Sequence, residues 1–107
     1  MKECILRIFF IAGFNYYDGC MALEELKVGT KLELVRDEYN KADVNAIAIY
    51  YNDWKLGYVP AQENEMLAKF LDMGYNDVFE IRVQRLLKEN IHLIKWELLF
   101  ILIEIRK

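Results

Sequence analysis

Arg36-Asp37-Glu38-Tyr39-Asn40-Lys41-Ala42-Asp43-Val44-Asn45-Ala46-Ile47-Ala48-Ile49-Tyr50-Tyr51-Asn52-Asp53-Trp54-Lys55-Leu56-Gly57-Tyr58 is the stretch whose reading decides the fold. A polar loop, Asp37 to Asp43, leads into an apolar run, Asn45 to Tyr51. Asn52-Asp53 is a two-residue turn signal, and Trp54 to Val59 returns as a second run rich in aromatic and apolar residues. Two such runs around a short polar pair predict a β-hairpin. The preceding Lys31 to Arg36 alternates, with Leu32 and Leu34 on one face and Lys31, Glu33 and Val35 on the other, the pattern of a half-buried strand. Lys31 to Val59 therefore predicts an antiparallel meander.

Working outward, Cys4 to Ala12 is rich in Ile and Phe and predicts a strand buried on much of both faces, ended by Gly13. Phe14 to Cys20 predicts a loop with turn chemistry at Asp18-Gly19. Met21 to Leu26 is long enough only for a helical turn or an irregular edge, and Val28-Gly29-Thr30 predicts a turn. On the other side, Pro60 begins a helix over about 61–73, since its missing N–H costs nothing in the first turn. Met66, Leu67, Phe70 and Leu71 give that helix an apolar face, and Gly74 closes it. Asp77 to Leu87 and His92 to Ile105 predict two long strands joined by Lys88-Glu89-Asn90. Trp96 to Ile103 is expected to be a central strand covered on both faces, or a dimer edge if the sheet is open. The order predicts an α+β, mostly β fold: a small OB/SH3-like antiparallel β-barrel with one main helix. Residues 1–107 fit one domain, read as a complete small protein.

The 55% hydrophobic and 29% charged residues indicate a globular chain rather than a disordered one. The net charge of −3 and pI near 5.2 argue against broad binding of duplex nucleic acid, which needs many Lys and Arg on one face. A small pocket gripping one or two phosphates is compatible with that charge. Cys4 and Cys20 do not make a disulfide scaffold. No signal peptide is visible, and the apolar run Leu98 to Ile103 is far too short to span a bilayer, so the expected location is cytoplasmic, without membrane association. A zinc site would need Cys4, Cys20, His92 and a carboxylate to converge without any paired spacing. No GxSxG, Walker or GxGxxG motif occurs, and no carboxylate pair stands out. We expect no enzyme activity, no catalytic residues, no metal and no cofactor.

Three pieces carry functional information. The first is Gly13-Phe14-Asn15-Tyr16-Tyr17-Asp18-Gly19. The second is Leu34-Val35-Arg36-Asp37, then Asn40, then Asp43-Val44-Asn45-Ala46-Ile47-Ala48-Ile49-Tyr50. The third is Leu56-Gly57-Tyr58-Val59-Pro60, followed by Asn64 and Leu67-Ala68 in the helix. In order, spacing and residue type they resemble the HIRAN domain, over about Ile8 to Arg85, in its short stand-alone bacterial form. The resemblance implies an oligonucleotide-binding barrel with a pocket for the 3′ end of single-stranded DNA, and a role in DNA repair. It implies a base stacked on an aromatic of the tyrosine pair and a basic residue just before that pair on phosphate. It also implies an aspartate that accepts from the free 3′-hydroxyl.

Carried onto this chain, the nucleic-acid-binding candidates are Asn15, Tyr16, Tyr17, Arg36, Asp43, Asn45 and Tyr58. Tyr16 would stack, with Tyr17 beside it, and Asp43 would accept the hydroxyl. Arg36 could meet phosphate or pair with Asp37 or Asp43, and Tyr58 could line the same groove. The chain departs from the pattern at Asn15, where a basic residue is expected. It departs again at Ala42 in place of an aromatic, at Val44 in place of a frequent basic residue, and at Pro60-Ala61 in place of lysines. Structural roles compete at each position. Asp43 and Asn45 can close the loop through Asx-type hydrogen bonds, the tyrosine pair can anchor the loop, Arg36 can form an ion pair, and Tyr58 can be half-buried. Gly57 is expected to permit a bulge or a close backbone approach. The alternative to a DNA-end module is a protein-interaction or homodimerisation module that keeps the fold.

Overall fold

The computed structural model describes the backbone of residues 2–75, 79–90 and 93–104, and the side chains of 8–14, 16–19, 21–75 and 80–84. β1 (Lys2–Phe10) leads into a 3-10 turn at Phe14–Tyr16 and a short helix α1 (Gly19–Ala22). The meander follows as β2 (Lys31–Arg36), β3 (Ile47–Tyr51) and β4 (Trp54–Tyr58), then α2 (Ala61–Asp72), β5 (Phe79–Asn90) and β6 (Leu93–Glu104). The sheet runs β1-β6-β5-β2-β3-β4, with every neighbouring pair antiparallel. Just beyond β1, Ala12 makes a two-bond bridge to Tyr58 of β4, each N–H donating to the other's carbonyl at 2.9 Å. The two ends of the strand order therefore touch at this point, which makes the sheet barrel-like.

The hairpin forms where the turn residues require it. Asn52 takes φ 53°, a left-handed conformation that asparagine tolerates better than most residues. β4 carries one extra residue. Tyr50 pairs with Lys55 and Ile49 with Gly57, so Leu56 is a bulge and is fully buried. Gly57 has φ 154°, and a Cβ there would sit 2.4 Å from the Ala12 carbonyl oxygen. Both expected roles of Gly57 are present, since the strand bulges beside it and passes within contact of Ala12.

Several expectations are corrected. β1 is not covered on both faces where its side chains are described: Phe9 and Ile11 are buried, but Ile8 and Phe10 are 45% and 43% exposed. Residues 14–20 are a 3-10 turn and the start of α1 rather than a loop, because Gly19 lets the Phe14 ring pack directly on the backbone. The α2 core face is Asn64, Leu67, Ala68 and Leu71, while Met66 is 69% exposed. That face is rotated from the one its apolar residues suggest because a polar side chain, Asn64, is drawn inside by a hydrogen bond. Lys88 and Asn90 lie within the β5–β6 ladder, which shifts register between them, so the polar triplet is an irregularity inside the hairpin and not its turn. β6 lies between β1 and β5, the central position expected, and so is not an edge available to a second copy. Asp77, His92 and Ile105 lie outside the described residues, as do the side chains of Cys4, Cys20 and 96–103.

The core joins both halves of the sheet to α2. It contains Phe9, Ile11, Phe14, Ile47, Ile49, Leu56, Val59, Leu67, Leu71, Ile81 and Val83. No helix among the described residues is long and apolar enough to cross a membrane.

Candidate functional site

The β4 edge is covered by the aromatic turn. Beyond the Ala12–Tyr58 bridge, the Asp18 N–H donates to the Lys55 carbonyl at 2.8 Å, and the Lys55 N–H donates to Asp18 Oδ2 at 3.2 Å. These bonds satisfy backbone groups that an edge strand would otherwise expose, and they fix Tyr16 and Tyr17 beside Tyr58. The Tyr17 and Tyr58 rings meet edge to face, centroids 5.7 Å apart, and Tyr16 lies 6.4 Å from Tyr17. Tyr16 is 90% exposed, so its ring face is open to a ligand.

Lys55 occupies the middle of this cluster. Its Nζ lies 4.7 Å from the Tyr17 centroid and 4.3 Å from the Tyr58 centroid, and it donates to the Tyr58 hydroxyl at 2.6 Å. The Tyr58 hydroxyl in turn donates to Asp37 Oδ2 at 2.6 Å, where the Asn40 amide also donates at 3.2 Å. Partial burial alone would lower the pKa of Lys55, but the hydrogen bond to Tyr58 and the surrounding tyrosine oxygens outweigh it and raise the value. Tyr58 is raised by desolvation and by its bond to Asp37. At neutral pH the lysine is therefore charged and the tyrosine neutral.

The loop holding Asp43 is built by side-chain turns. Asn40 Oδ1 accepts from the N–H groups of Ala42 and Asp43 at 2.9 and 3.1 Å. Asp43 Oδ1 accepts from the Asn45 N–H at 2.9 Å, and Oδ2 accepts from the Asn64 amide at 2.8 Å. These donors, the Asn45 N–H first, hold the Asp43 carboxyl below the usual aspartate range. The Asx closure expected of Asp43 is present. Each carboxylate oxygen has spent one lone pair on it and retains another.

Arg36 pairs with neither of its expected aspartates. Its guanidinium donates from Nε and Nη2 to Asp72 at 2.9 and 3.3 Å, from Nη1 to the Ala46 carbonyl at 2.7 Å, and from Nη2 to the Val44 carbonyl at 3.0 Å. Most of its donors are thereby spent in clamping the Asp43 loop to the end of α2. One wall of an open hollow of about 380 Å³, lined by Leu34, Val35, Arg36, Glu38, Leu71 and Asp72, is this clamp. No tyrosine lines it.

The three sequence pieces thus converge through the run Tyr16, Tyr17, Tyr58, Asp37, Asn40, Asp43. Asn45 contributes its backbone N–H, and the Asn15 side chain lies outside the described residues. Lys55 and Asp37 are site residues that the sequence reading passed over. Strict alternation puts Lys55 and Tyr58 on opposite faces. The Leu56 bulge reverses that parity and brings them together.

Comparison with known proteins agrees with this fold. The family model for the HIRAN domain matches residues 7–94. The chain belongs to the HIRAN domain family. A crystal structure of a protein from Lactobacillus plantarum shares the fold with a TM-score of 0.76 and 27% identity, over 94% of this chain and 95% of that one. The HIRAN domain of human HLTF aligns with a TM-score of 0.62 and 21% identity, over 95% of this chain and 81% of that one, a likeness of fold. No curated protein matches the chain. HIRAN domains are generally nucleic-acid-binding modules.

Proposed function

We propose that this HIRAN domain binds the 3′ end of single-stranded DNA, as a non-enzymatic module acting in DNA repair. The observation that carries the reading is Tyr16, an almost fully exposed aromatic fixed at the rim of a tyrosine cluster that leads to an ionised aspartate. Stacking a base on such a ring is worth about 1–3 kcal/mol and is indifferent to sequence. Asp43 is ionised and half-buried, and its spare lone pairs would accept from a terminal hydroxyl. A 3′-phosphate would meet it as a like charge.

The test is fluorescence anisotropy with short single-stranded oligonucleotides ending in a 3′-hydroxyl or a 3′-phosphate. We expect the hydroxyl end to bind more tightly, and Tyr16→Ala to weaken binding roughly 5- to 150-fold, the equivalent of a lost stack. Equal affinity for both ends sinks end recognition.

A second reading, a protein-interaction module, is favoured by the net charge of −3 and by the engagement of Arg36 with Asp72. Absence of binding to any oligonucleotide would select it.

A further inference from the structure

We propose that Lys55 supplies the phosphate contact of this domain, holding the last phosphodiester of a bound strand. The inference rests on the strand-end reading above. It starts from charge placement. Among the described residues, the ion pairs are Lys31–Glu80, Arg36–Asp72, Lys69–Glu65 and Arg82–Glu80, and none involves Lys55. The one hydrogen bond its ammonium makes among the described residues goes to a neutral hydroxyl. An ammonium has three donors, so two remain for another acceptor.

Position points the same way. Lys55 lies between Tyr17 and Tyr58, on the inner side of Tyr16. A strand with a base stacked on Tyr16 would run its backbone inward past Tyr17, where the Lys55 ammonium is held. Two carboxylates adjoin the lysine: Asp18 turns Oδ2 to the Lys55 N–H, and Asp37 turns Oδ2 to Tyr58 and Asn40, and those donors offset their repulsion of a phosphate. The two flanking rings also restrict the lysine stem, so less freedom is lost when the ammonium engages a ligand. The residue before the tyrosine pair is the uncharged Asn15. The cation of this site therefore comes from β4, placed there by the Leu56 bulge.

The experiment is a cycle between protein charge and ligand charge. Wild type and Lys55→Met are titrated with a 3′-hydroxyl oligonucleotide whose last linkage is either a phosphodiester or an uncharged methylphosphonate. Methionine keeps an unbranched apolar stem and removes the charge together with the hydrogen bond to Tyr58, and Lys55→Arg keeps the charge. Wild type should lose about tenfold in affinity on methylphosphonate replacement, the size of one charge-assisted contact. Lys55→Met should bind both oligonucleotides alike, and Lys55→Arg should behave as wild type. The salt slope of Lys55→Met should be shallower by about 0.7, one single-strand phosphate contact. If methylphosphonate costs wild type and Lys55→Met the same factor, Lys55 does not hold that phosphate, while end binding itself stands. If wild type binds no single strand, both readings fall. A merely structural lysine would lower affinity for the two oligonucleotides equally and leave the salt slope unchanged.

Discussion

Replacing Gly57 with alanine tests the contact that both bridges β4 to the segment after β1 and builds the site. Two costs add. At φ 154° an L side chain is strained, by about 1–3 kcal/mol for a sparsely populated backbone region. The new Cβ would also lie 2.4 Å from the Ala12 carbonyl oxygen and 2.5 Å from Ile11 Cγ2. The isoleucine methyl can move, but the carbonyl is held by the Tyr58 N–H. Either β4 shifts or the bridge opens, a further cost of about 1–3 kcal/mol by analogy with overpacked cores. The sum, about 2–6 kcal/mol, is a large share of the roughly 5–15 kcal/mol of a typical domain. It corresponds to a melting temperature lower by about 10–30 °C for a chain of this size. Gly74→Ala is the control. It has φ 85° and its Cβ would meet nothing within 4 Å, so it incurs only backbone strain, about 1–2 kcal/mol. Thermal unfolding followed by circular dichroism compares the two. If Gly57→Ala melts no lower than Gly74→Ala, the close approach of β4 to Ala12 is not what holds the aromatic turn, and the reasoning is refuted.

Two further outcomes follow from the loop that carries Asp43. Arg36→Met should cost about 1–2 kcal/mol in urea denaturation, mostly from the hydrogen bonds lost at the Val44 and Ala46 carbonyls, the second of which keeps its bond from the Asp37 N–H; Asp72, half-exposed, should matter less, so an equal loss in Asp72→Asn would show that the ion pair, and not the carbonyl contacts, holds the loop. Asp37 is held below the usual aspartate range by the Tyr58 hydroxyl and then Asn40, and Asp43 by the Asn45 N–H and then Asn64. A folded pKa below the unfolded one means that the unfolded chain binds more protons, so this contribution is complete above about pH 3.9 and is lost as pH falls through the folded values. Stability measured from pH 5 to pH 2 should fall less steeply in Asp43→Asn than in wild type, and identical slopes would refute the assignment.

Local rules made the meander legible. Lys31–Arg36 alternates cleanly because one of its faces meets solvent, and Asn52-Asp53 supplies the turn, so β2 and the hairpin were readable from neighbouring residues alone. The features that escaped depend on partners distant in sequence. Arg36 binds Asp72 across 36 positions, and no local pattern marks that pairing. Asn64 is buried at a position that polarity assigns to the surface because Asp43, 21 residues earlier, accepts its amide. Lys55 was hidden by a single inserted residue, since a bulge leaves composition unchanged while reversing which face each side chain occupies. The tyrosine pair, Asp43 and Tyr58 were legible as candidates because their residue types suit an end-binding pocket. Their continuity became visible only through Asp37 and Asn40.

The acidic balance of the chain and a phosphate-binding role concern different length scales. Net charge governs long-range attraction to a polyanion, and at −3 it disfavours the sliding, non-specific mode that basic proteins use. End recognition needs few contacts at short range. At physiological salt the screening length is about 8 Å, so exposed carboxylates farther away act weakly on a phosphate held in the cluster. What matters there is the charge closest to the cluster: Lys55, and the carboxylates of Asp18 and Asp37, each already receiving hydrogen-bond donors. The arrangement favours one phosphate and one hydroxyl together and gives little to a longer run of backbone. Affinity should therefore level off at a length of a few nucleotides.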